Sequence, residues 1–362
     1  MRIAFVGKGG SGKTTTAAAF SRYLAAQGRP VVAVDADINQ HLATALGHDG
    51  PLPRPLGSDL AWLKDHLRGD NPRIPSTAAM IMTTPPGRGS RLIDLDHAGE
   101  LLSRYAATTH EGVRHLVTGS FDEADIGVSC YHAKTGAVEL WLNHLVDGPG
   151  EYVVVDMTAG ADAFASGLFT RFDLTVLVSE PTRRGVGVYR QYAAHAAGHG
   201  VALRVLGNKV ADADDFAYLQ DEVGEALLGC LTPSPWVRAA ERGAVAPVTR
   251  LEPANLAVLG SVLAALDACE RDWAAYHQAT VAFHLRNAAA WGDRATGADL
   301  AAQVDPSSCR ALSSGPDPPS TKEKEPCPST SPRPFSTPPR AASWTTRSSS
   351  PSSATRCPMP GR

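Results

Sequence analysis

The first seventeen residues decide the fold: the apolar run RIAFVG (2–7) leads directly into the glycine-rich stretch KGGSGKTTTA (8–17). Together they contain the pattern G-x-x-x-x-G-K-T, from Gly7 to Thr14. The apolar run predicts a strand and the residues from Lys13 onward predict a helix, which is the context that this pattern requires. A second lysine, Lys8, directly follows the first glycine, although one lysine is enough to hold a nucleotide's phosphates.

The loop between this strand and this helix predicts a site for nucleotide phosphates. Its glycines let successive backbone N–H groups turn inward around phosphate oxygens, and the helix dipole adds to the attraction. Lys13 should reach the β- and γ-phosphates, and the Thr14 hydroxyl should bind Mg²⁺. The alternative is a glycine-rich turn that binds no ligand. The predicted nucleotide-binding residues of the loop are Gly9, Gly10, Ser11, Gly12, Lys13, Thr14 and Thr15.

Further along the chain, short apolar runs alternate with segments of helical periodicity. The runs are almost continuously apolar, which is typical of strands buried on both faces of a parallel sheet. We therefore expect an α/β fold of the P-loop NTPase type, a mostly parallel sheet of about seven strands with helices on both faces, and ligands at the carboxyl ends of the strands. The predicted strands are 2–7, 30–37, 113–121, 151–160, 173–181, 201–210 and 227–235, and the predicted helices are 13–27, 58–68, 134–146, 183–198 and 212–226.

The chain divides into three predicted parts. Residues 1–270 should form the nucleotide-binding domain, interrupted by a turn-rich insertion at 48–112, and an insertion of this length is usually a functional lid or a mobile surface segment. The helical pattern at 252–291 should pack on the flank of the sheet and continue into an extension at 271–306. From Pro306 onward the chain holds 13 of its 27 prolines, so residues 307–362 are expected to be a disordered Pro/Ser-rich tail or the product of an out-of-frame reading.

Composition narrows the classes of function. The formal net charge is −3, which gives no general attraction to nucleic acid or to anionic membranes. No run of 18 apolar residues is present and the N-terminus starts directly in a strand, so the expected location is the cytoplasm. The six cysteines are irregularly spaced, and in a reducing compartment we expect them to be thiols.

The motif K-G-G-S-G-K-T resembles the deviant Walker A motif of the MinD/ParA superfamily of P-loop ATPases. In overall look the chain is most similar to the nickel-insertion (CooC-like) ATPases of carbon monoxide dehydrogenase, and the resemblance covers about residues 1–270. It implies ATP-dependent homodimerisation, in which Lys8 reaches the partner's phosphates and supplies positive charge during phosphoryl transfer, as an arginine finger does. The alternative for Lys8 is a solvated loop cation.

Acidic residues end two of the predicted strands. Carboxylates at the carboxyl end of a central strand lie where a γ-phosphate and its metal would be bound. By resemblance, Asp37 in VVAVDADINQ orients the attacking water, and Asp35 supports Mg²⁺ through water or holds the loop. YVVVDMTAG resembles Walker B followed by switch II, in which Asp156 holds Mg²⁺ and Gly160 approaches the γ-phosphate. Helix capping by these aspartates is the structural alternative.

The stretch VLGNKV ends the sixth predicted strand. Val210 is followed by Ala211 and then Asp212, which is out of register with the N-K-x-D pattern that reads guanine. By resemblance Asn208 binds the adenine edge, so ATP is favoured over GTP. An asparagine that ends a strand is also an ordinary turn residue.

A further candidate site is Cys130-Tyr131-His132. At this place the nickel-insertion ATPases carry a C-x-C metal motif, which here reads C-x-H. One thiolate and one imidazole from each chain of a symmetric dimer would form an S₂N₂ set that suits Zn²⁺ and accepts Ni²⁺. Cysteine is also among the residue types most often buried for packing alone.

Two functions follow from these expectations. The first is a Mg-dependent ATPase that switches between monomer and dimer and loads metal into a client protein or otherwise acts on it. The alternative is a partition or positioning ATPase of the ParA/MinD type, which would need a basic patch or an amphipathic basic helix to bind DNA or membrane. The segment WAAYHQATVAFHLRNAAAW (273–291) carries one strong cation, Arg286, which argues against membrane binding by this helix.

Overall fold

A sheet of eight strands lies at the centre of the described residues, which in this computed structural model are 1–95, 99–120, 131–160, 164 and 166–306, without the side chains of 131–133. The strand order is β3-β4-β2-β5-β1-β6-β7-β8. The strands are β1 (Arg2–Gly7), β2 (Val31–Ala36), β3 (Ala107–Thr108), β4 (Arg114–Val117), β5 (Tyr152–Met157), β6 (Leu174–Ser179), β7 (Leu203–Gly207) and β8 (Leu227–Cys230).

Seven of these strands are parallel, which confirms the predicted α/β fold with a mostly parallel sheet. The eighth, β3, pairs antiparallel with β4 through Ala107 opposite His115 and Thr108 opposite Arg114. Two residues carry no periodic pattern, so this edge strand could not be predicted from the sequence.

Helices connect the strands, and those predicted between strands are present within a few residues of their expected bounds. The predicted helical stretch at 252–291 is two helices, separated at residues 268–272. Asp272 caps the second one by accepting hydrogen bonds from the N–H groups of Ala274 and Ala275. The helices are α1 (Lys13–Ala26), α2 (Leu42–Ala45), α3 (Leu60–Arg68), α4 (Gly99–Tyr105), α5 (Tyr131–His144), α6 (Arg183–Ala196), α7 (Ala213–Val223), α8 (Pro235–Ala240), α9 (Pro253–Asp267), α10 (Trp273–Asn287) and α11 (Asp293–Thr296).

The central strands are buried on both faces because their side chains alternate between two apolar cores. In β1, Ala4 and Val6 belong to the core that includes Trp141 of α5. Ile3 and Phe5 belong to the opposite core, with α1 and α9. The continuous apolar runs of the sequence therefore serve two layers of helices.

The turn-rich segment 48–112 contributes to the first core. Leu63, Leu67 and Met80 of this segment are fully buried among residues of the sheet and of α5. The segment also contacts residues near the end of the described chain: Gln303 Nε2 donates to the Ala79 carbonyl at 2.7 Å, and the Arg88 N–H donates to Asp305 Oδ2 at 2.9 Å. The described part of the insertion is thus packed against both the core and the C-terminal helical region.

A buried ionic network connects α10 with the amino end of β1, which is the end of the strand opposite the phosphate loop. Asp147 Oδ1 accepts from Arg2 Nε at 2.7 Å, and both its oxygens accept from Arg271, at 2.7 and 2.8 Å. Arg2 also donates to the hydroxyl of Tyr276, in α10. Burial alone would raise the pKa of Asp147, but Arg2 and Arg271 outweigh it and hold that pKa well below its usual range.

We expect Asp147→Asn to lower the free energy of unfolding by about 3–5 kcal/mol, because it leaves the buried Arg2 guanidinium without its counter-charge. Urea unfolding of the full chain measures this loss. Asp65→Asn is the matched control, because Asp65 is 70% exposed and 3.9 Å from Arg68, and should cost less than about 1 kcal/mol. Equal losses in the two variants would contradict a structural role for the network.

The lowered pKa of Asp147 in the folded protein also predicts that stability depends on pH. A carboxyl group whose pKa is lowered by folding stabilises the protein above its ordinary pKa of 3.8 and loses that contribution as the pH falls below it. Wild-type protein should therefore lose more stability below about pH 4 than Asp147→Asn does.

Candidate nucleotide-binding site

The loop between β1 and α1 has a backbone that glycine alone adopts without strain. Gly10 and Gly12 have φ angles of 79° and 96°, in the left-handed region that other residues rarely enter. A Cβ on Gly12 would also lie 2.2 Å from Asn208 Nδ2. Helix α1 starts at Lys13, so its first N–H groups face the loop. This geometry can hold an anion at the helix N-terminus.

Two side chains directly after β7 donate hydrogen bonds to the loop. Asn208 Nδ2 donates to the Ser11 carbonyl at 2.7 Å, and Lys209 Nζ donates to the Gly10 carbonyl at 2.8 Å. These two hydrogen bonds satisfy the Ser11 and Gly10 carbonyl oxygens and connect the loop to the segment after β7. Asn208 was expected to contact adenine. The structure shows it bonded to the phosphate loop, and the adenine contact stays a prediction.

Three aspartates converge at the carboxyl ends of β2 and β5. Asp35 and Asp156 lie side by side in the parallel register of the two strands. Asp35 is fully buried and accepts from the N–H groups of Asp37 and Leu42, at 3.1 and 2.9 Å. It therefore holds the loop and the start of α2, which was one of its two expected roles.

Asp156 is arranged to accept a cation. Its Oδ2 accepts from the Thr14 hydroxyl at 2.6 Å, while Oδ1 is buried and has no hydrogen-bond partner among the described residues. Burial, followed by the nearby charge of Asp35, raises the pKa of Asp156 to about 8. Burial also raises the pKa of Asp35 to about 6. An unpartnered buried carboxylate oxygen beside a hydroxyl fits the oxygen-rich shell that Mg²⁺ prefers.

Asp37 and Gly160 lie at the same edge of the sheet. Asp37 follows β2 by one residue, and its Oδ1 accepts from both the N–H and the side-chain amide of Asn39, at 3.0 Å each. Gly160 follows β5 by three residues and has a φ of 74°. The residue contacts alone do not assign a reacting group to either position, and their catalytic roles remain predictions.

A cavity of about 540 Å³ extends from the loop toward β8, α8 and α9, a size typical of small-molecule sites. Its walls include Lys13 and Thr15 on one side and Leu231, Ser234 and Trp236 on the other. The first residues of the segment PSPWVRAAERG (233–243) line this cavity.

Lys8 is held by a residue that the sequence did not indicate. Its Nζ lies 3.7 Å from Glu180 Oε2, just after β6, and the other oxygen of Glu180 accepts from Lys209 Nζ at 2.7 Å. Glu180 and Lys209 were missed because their positions depend on two loops that are distant in sequence. Lys209 directly follows Asn208, which was predicted from the sequence, and this adjacency was the signal that could have identified Lys209.

The candidate transition-metal site cannot be placed, because Cys130 and the His132 side chain lie outside the described residues. Among the described residues, no group of three or more histidine, cysteine or acidic side chains is arranged to hold a metal ion.

In the part of the chain that the structure describes, no helix is both long and apolar enough to cross a membrane.

Comparison with known proteins places this geometry in a family. Residues 3–225 match the CobQ/CobB/MinD/ParA nucleotide-binding domain. The chain is 27% identical over 244 residues to the carbon monoxide dehydrogenase accessory protein CooC of Rhodospirillum rubrum, covering 67% of this chain and 87% of that protein. It is 29% identical over 229 residues to an ATP-binding protein of Methanocaldococcus jannaschii, covering 63% of this chain and 81% of the relative.

Solved structures share the fold. The cell-division ATPase MinD of Pyrococcus furiosus superposes with a TM-score of 0.50 at 18% identity, covering 73% of this chain and 98% of MinD. A ParA-family ATPase of Chlorobium tepidum superposes with a TM-score of 0.52 at 14% identity, covering 72% of this chain and 97% of that one. At these identities the likeness establishes the fold.

Proposed function

The chain belongs to the CobQ/CobB/MinD/ParA nucleotide-binding domain family of P-loop ATPases, and from this premise we propose that it is an ATP-driven dimeric switch that acts on a client protein. The observation that carries the proposal is the meeting of Lys13, Thr14 and Asp156 at the carboxyl ends of the strands, where one buried oxygen of Asp156 has no hydrogen-bond partner among the described residues. Such a set suits a nucleotide triphosphate with its magnesium ion.

The roles within the site follow from these positions. Lys13 would neutralise the β- and γ-phosphates from the start of α1, and Thr14 and Asp156 would hold Mg²⁺. When bound, the ion would stabilise negative charge on the phosphate oxygens. Asp37 would orient the attacking water, and Gly160 would contact the γ-phosphate so that hydrolysis changes the path of the chain after β5.

ATP is the proposed nucleotide because of Asn208. Its Nδ2 donates one of its two hydrogens to the Ser11 carbonyl, which orients the amide, and its carbonyl oxygen can accept a hydrogen bond from a ligand. We propose that the base edge faces this oxygen, where the amino group of adenine would donate a hydrogen bond and the carbonyl oxygen of guanine would be repelled. The full chain should therefore hydrolyse Mg-ATP in preference to Mg-GTP and lose activity when EDTA removes Mg²⁺.

We further propose that the switch is an accessory ATPase that loads metal into a metalloenzyme. The similarity to the carbon monoxide dehydrogenase accessory protein supports this class of client, and Cys130 and His132 are the candidate ligands. A dimer would supply two thiolates and two imidazoles, enough for one tetrahedral Zn²⁺ or a Ni²⁺.

Equilibrium dialysis with Zn²⁺ and Ni²⁺ tests the metal proposal. We expect about one ion per two chains, since four ligands complete a tetrahedral site, and loss of binding in Cys130→Ser. Cys269→Ser is the matched control, since Cys269 is a free, half-buried thiol in the described region. Equal binding by the two variants would exclude Cys130 as a ligand, and ATP-dependent binding to DNA or liposomes without metal would favour a ParA/MinD-type role.

A further inference from the structure

The Lys8 side chain is held within its own chain by a carboxylate that no expected step requires. Lys8 Nζ is 3.7 Å from Glu180 Oε2, and its side chain is 38% exposed. In contrast, Lys209 Nζ makes two short contacts, at 2.7 Å to Glu180 Oε1 and at 2.8 Å to the Gly10 carbonyl. Lys209 is thus the closely bound partner of Glu180, and Lys8 is the more distant and more weakly bound partner.

The backbone around Glu180 and Lys209 constrains the positions of these two residues. Lys209 has a φ of 60°, in the left-handed region that costs a non-glycine residue free energy and persists only where neighbours impose it. Gly185 packs so tightly that an added Cβ would lie 2.5 Å from the Glu180 carbonyl. The hydrogen bond from Lys209, together with the charges of Lys209 and Lys8, lowers the pKa of Glu180, so the carboxylate is charged at neutral pH.

We propose that Glu180 is a positioning residue that holds Lys8 on its own subunit, so that the partner's nucleotide must draw Lys8 away from Glu180 when the dimer forms. The proposal rests on the proposed role of Lys8 across the dimer. Glu180 and the partner's phosphates compete for the same ammonium group, and Lys209 keeps Glu180 in place after Lys8 leaves. The strength of the Lys8–Glu180 pair thereby helps to set the protein concentration at which ATP causes dimerisation.

Neutralising Glu180 should therefore tighten the dimer, a direction that a merely structural role would not produce. One partly exposed ion pair corresponds to about a two- to fivefold change in an equilibrium constant. A symmetric dimer releases two such pairs, so E180Q should lower the dimer dissociation constant by about 4- to 25-fold.

The experiment is sedimentation of the full chain over a concentration series with saturating Mg²⁺ and a non-hydrolysable ATP analogue. E222Q is the matched control, because Glu222 pairs with Arg190 on the surface of α6 and α7, and its dimer should equal that of the wild type. Nucleotide affinity at a protein concentration that keeps each variant monomeric should be the same for wild type and E180Q, because Lys13 is unchanged and glutamine keeps an oxygen that can accept from Lys209.

The outcomes are distinct. A wild-type dimer that E180Q leaves unchanged or weakens would overturn the role of Glu180 and leave the proposed ATP switch standing. A tighter E180Q dimer that is fully explained by tighter nucleotide binding in the monomer would overturn it as well. A wild-type chain that stays monomeric at every concentration would overturn both proposals.

Discussion

Lys8→Ala is expected to lower ATP hydrolysis by about 10³-fold or more while leaving ATP binding to the monomer nearly intact, since a cation supplied across an interface can contribute 10³–10⁵ in rate. Lys13 begins α1 and lines the nucleotide cavity, whereas Lys8 points to Glu180 at the opposite end of the loop. The two lysines therefore have separable tasks, and removal of Lys8 should affect dimerisation and turnover together.

The measurements are ATP affinity by calorimetry, turnover by phosphate release, and oligomeric state by sedimentation. Lys8→Arg is the matched variant, because it keeps the positive charge while changing its shape, and it should retain more of the dimer than Lys8→Ala does. Undiminished turnover in Lys8→Ala would show that Lys8 does not act on the partner's nucleotide.

Asp37→Asn has the second large expected effect: hydrolysis should fall by about 10²–10⁴-fold, the range for loss of a group that positions or activates a nucleophile. Asparagine keeps the oxygen that accepts from the Asn39 N–H, so the loop should keep its conformation. ATP binding and docking of the subunits do not require hydrolysis. The variant should therefore accumulate as a long-lived dimer in ATP.

Asp49→Asn provides the control for Asp37→Asn, because Asp49 is an exposed aspartate that follows α2 in the sequence. It should hydrolyse ATP at the wild-type rate. Phosphate release measured alongside sedimentation separates the two expectations, and a slow Asp37→Asn variant that stays monomeric in saturating ATP would contradict the assigned role.

The parts of the fold that could be predicted from sequence are those with local causes. β1, β2 and β5 are continuous apolar runs because both of their faces are covered by helices. The phosphate loop is likewise local, since its glycines, Lys13 and Thr14 are consecutive. The break between α9 and α10 was missed although Asp272 is a typical capping residue, because apolar periodicity continues on both sides of it.

The parts that could not be predicted depend on contacts between distant segments. Glu180 follows β6 and Lys209 follows β7, and they meet the loop after β1 because these three strands are neighbours in the sheet. The bond from Asn208 to the Ser11 carbonyl has the same origin. Glu180 has ordinary surroundings in the sequence, and the order of the strands is what places it beside the phosphate loop.

The central claim is that ATP joins two chains through this edge of the sheet, and the most direct measurement is the mass of the full chain in solution with different nucleotides. The account predicts a mass twice that of the monomer with Mg²⁺ and a non-hydrolysable ATP analogue, and the monomer mass with Mg-ADP or without nucleotide. A mass that does not change among these conditions, whether monomer or dimer, would contradict it.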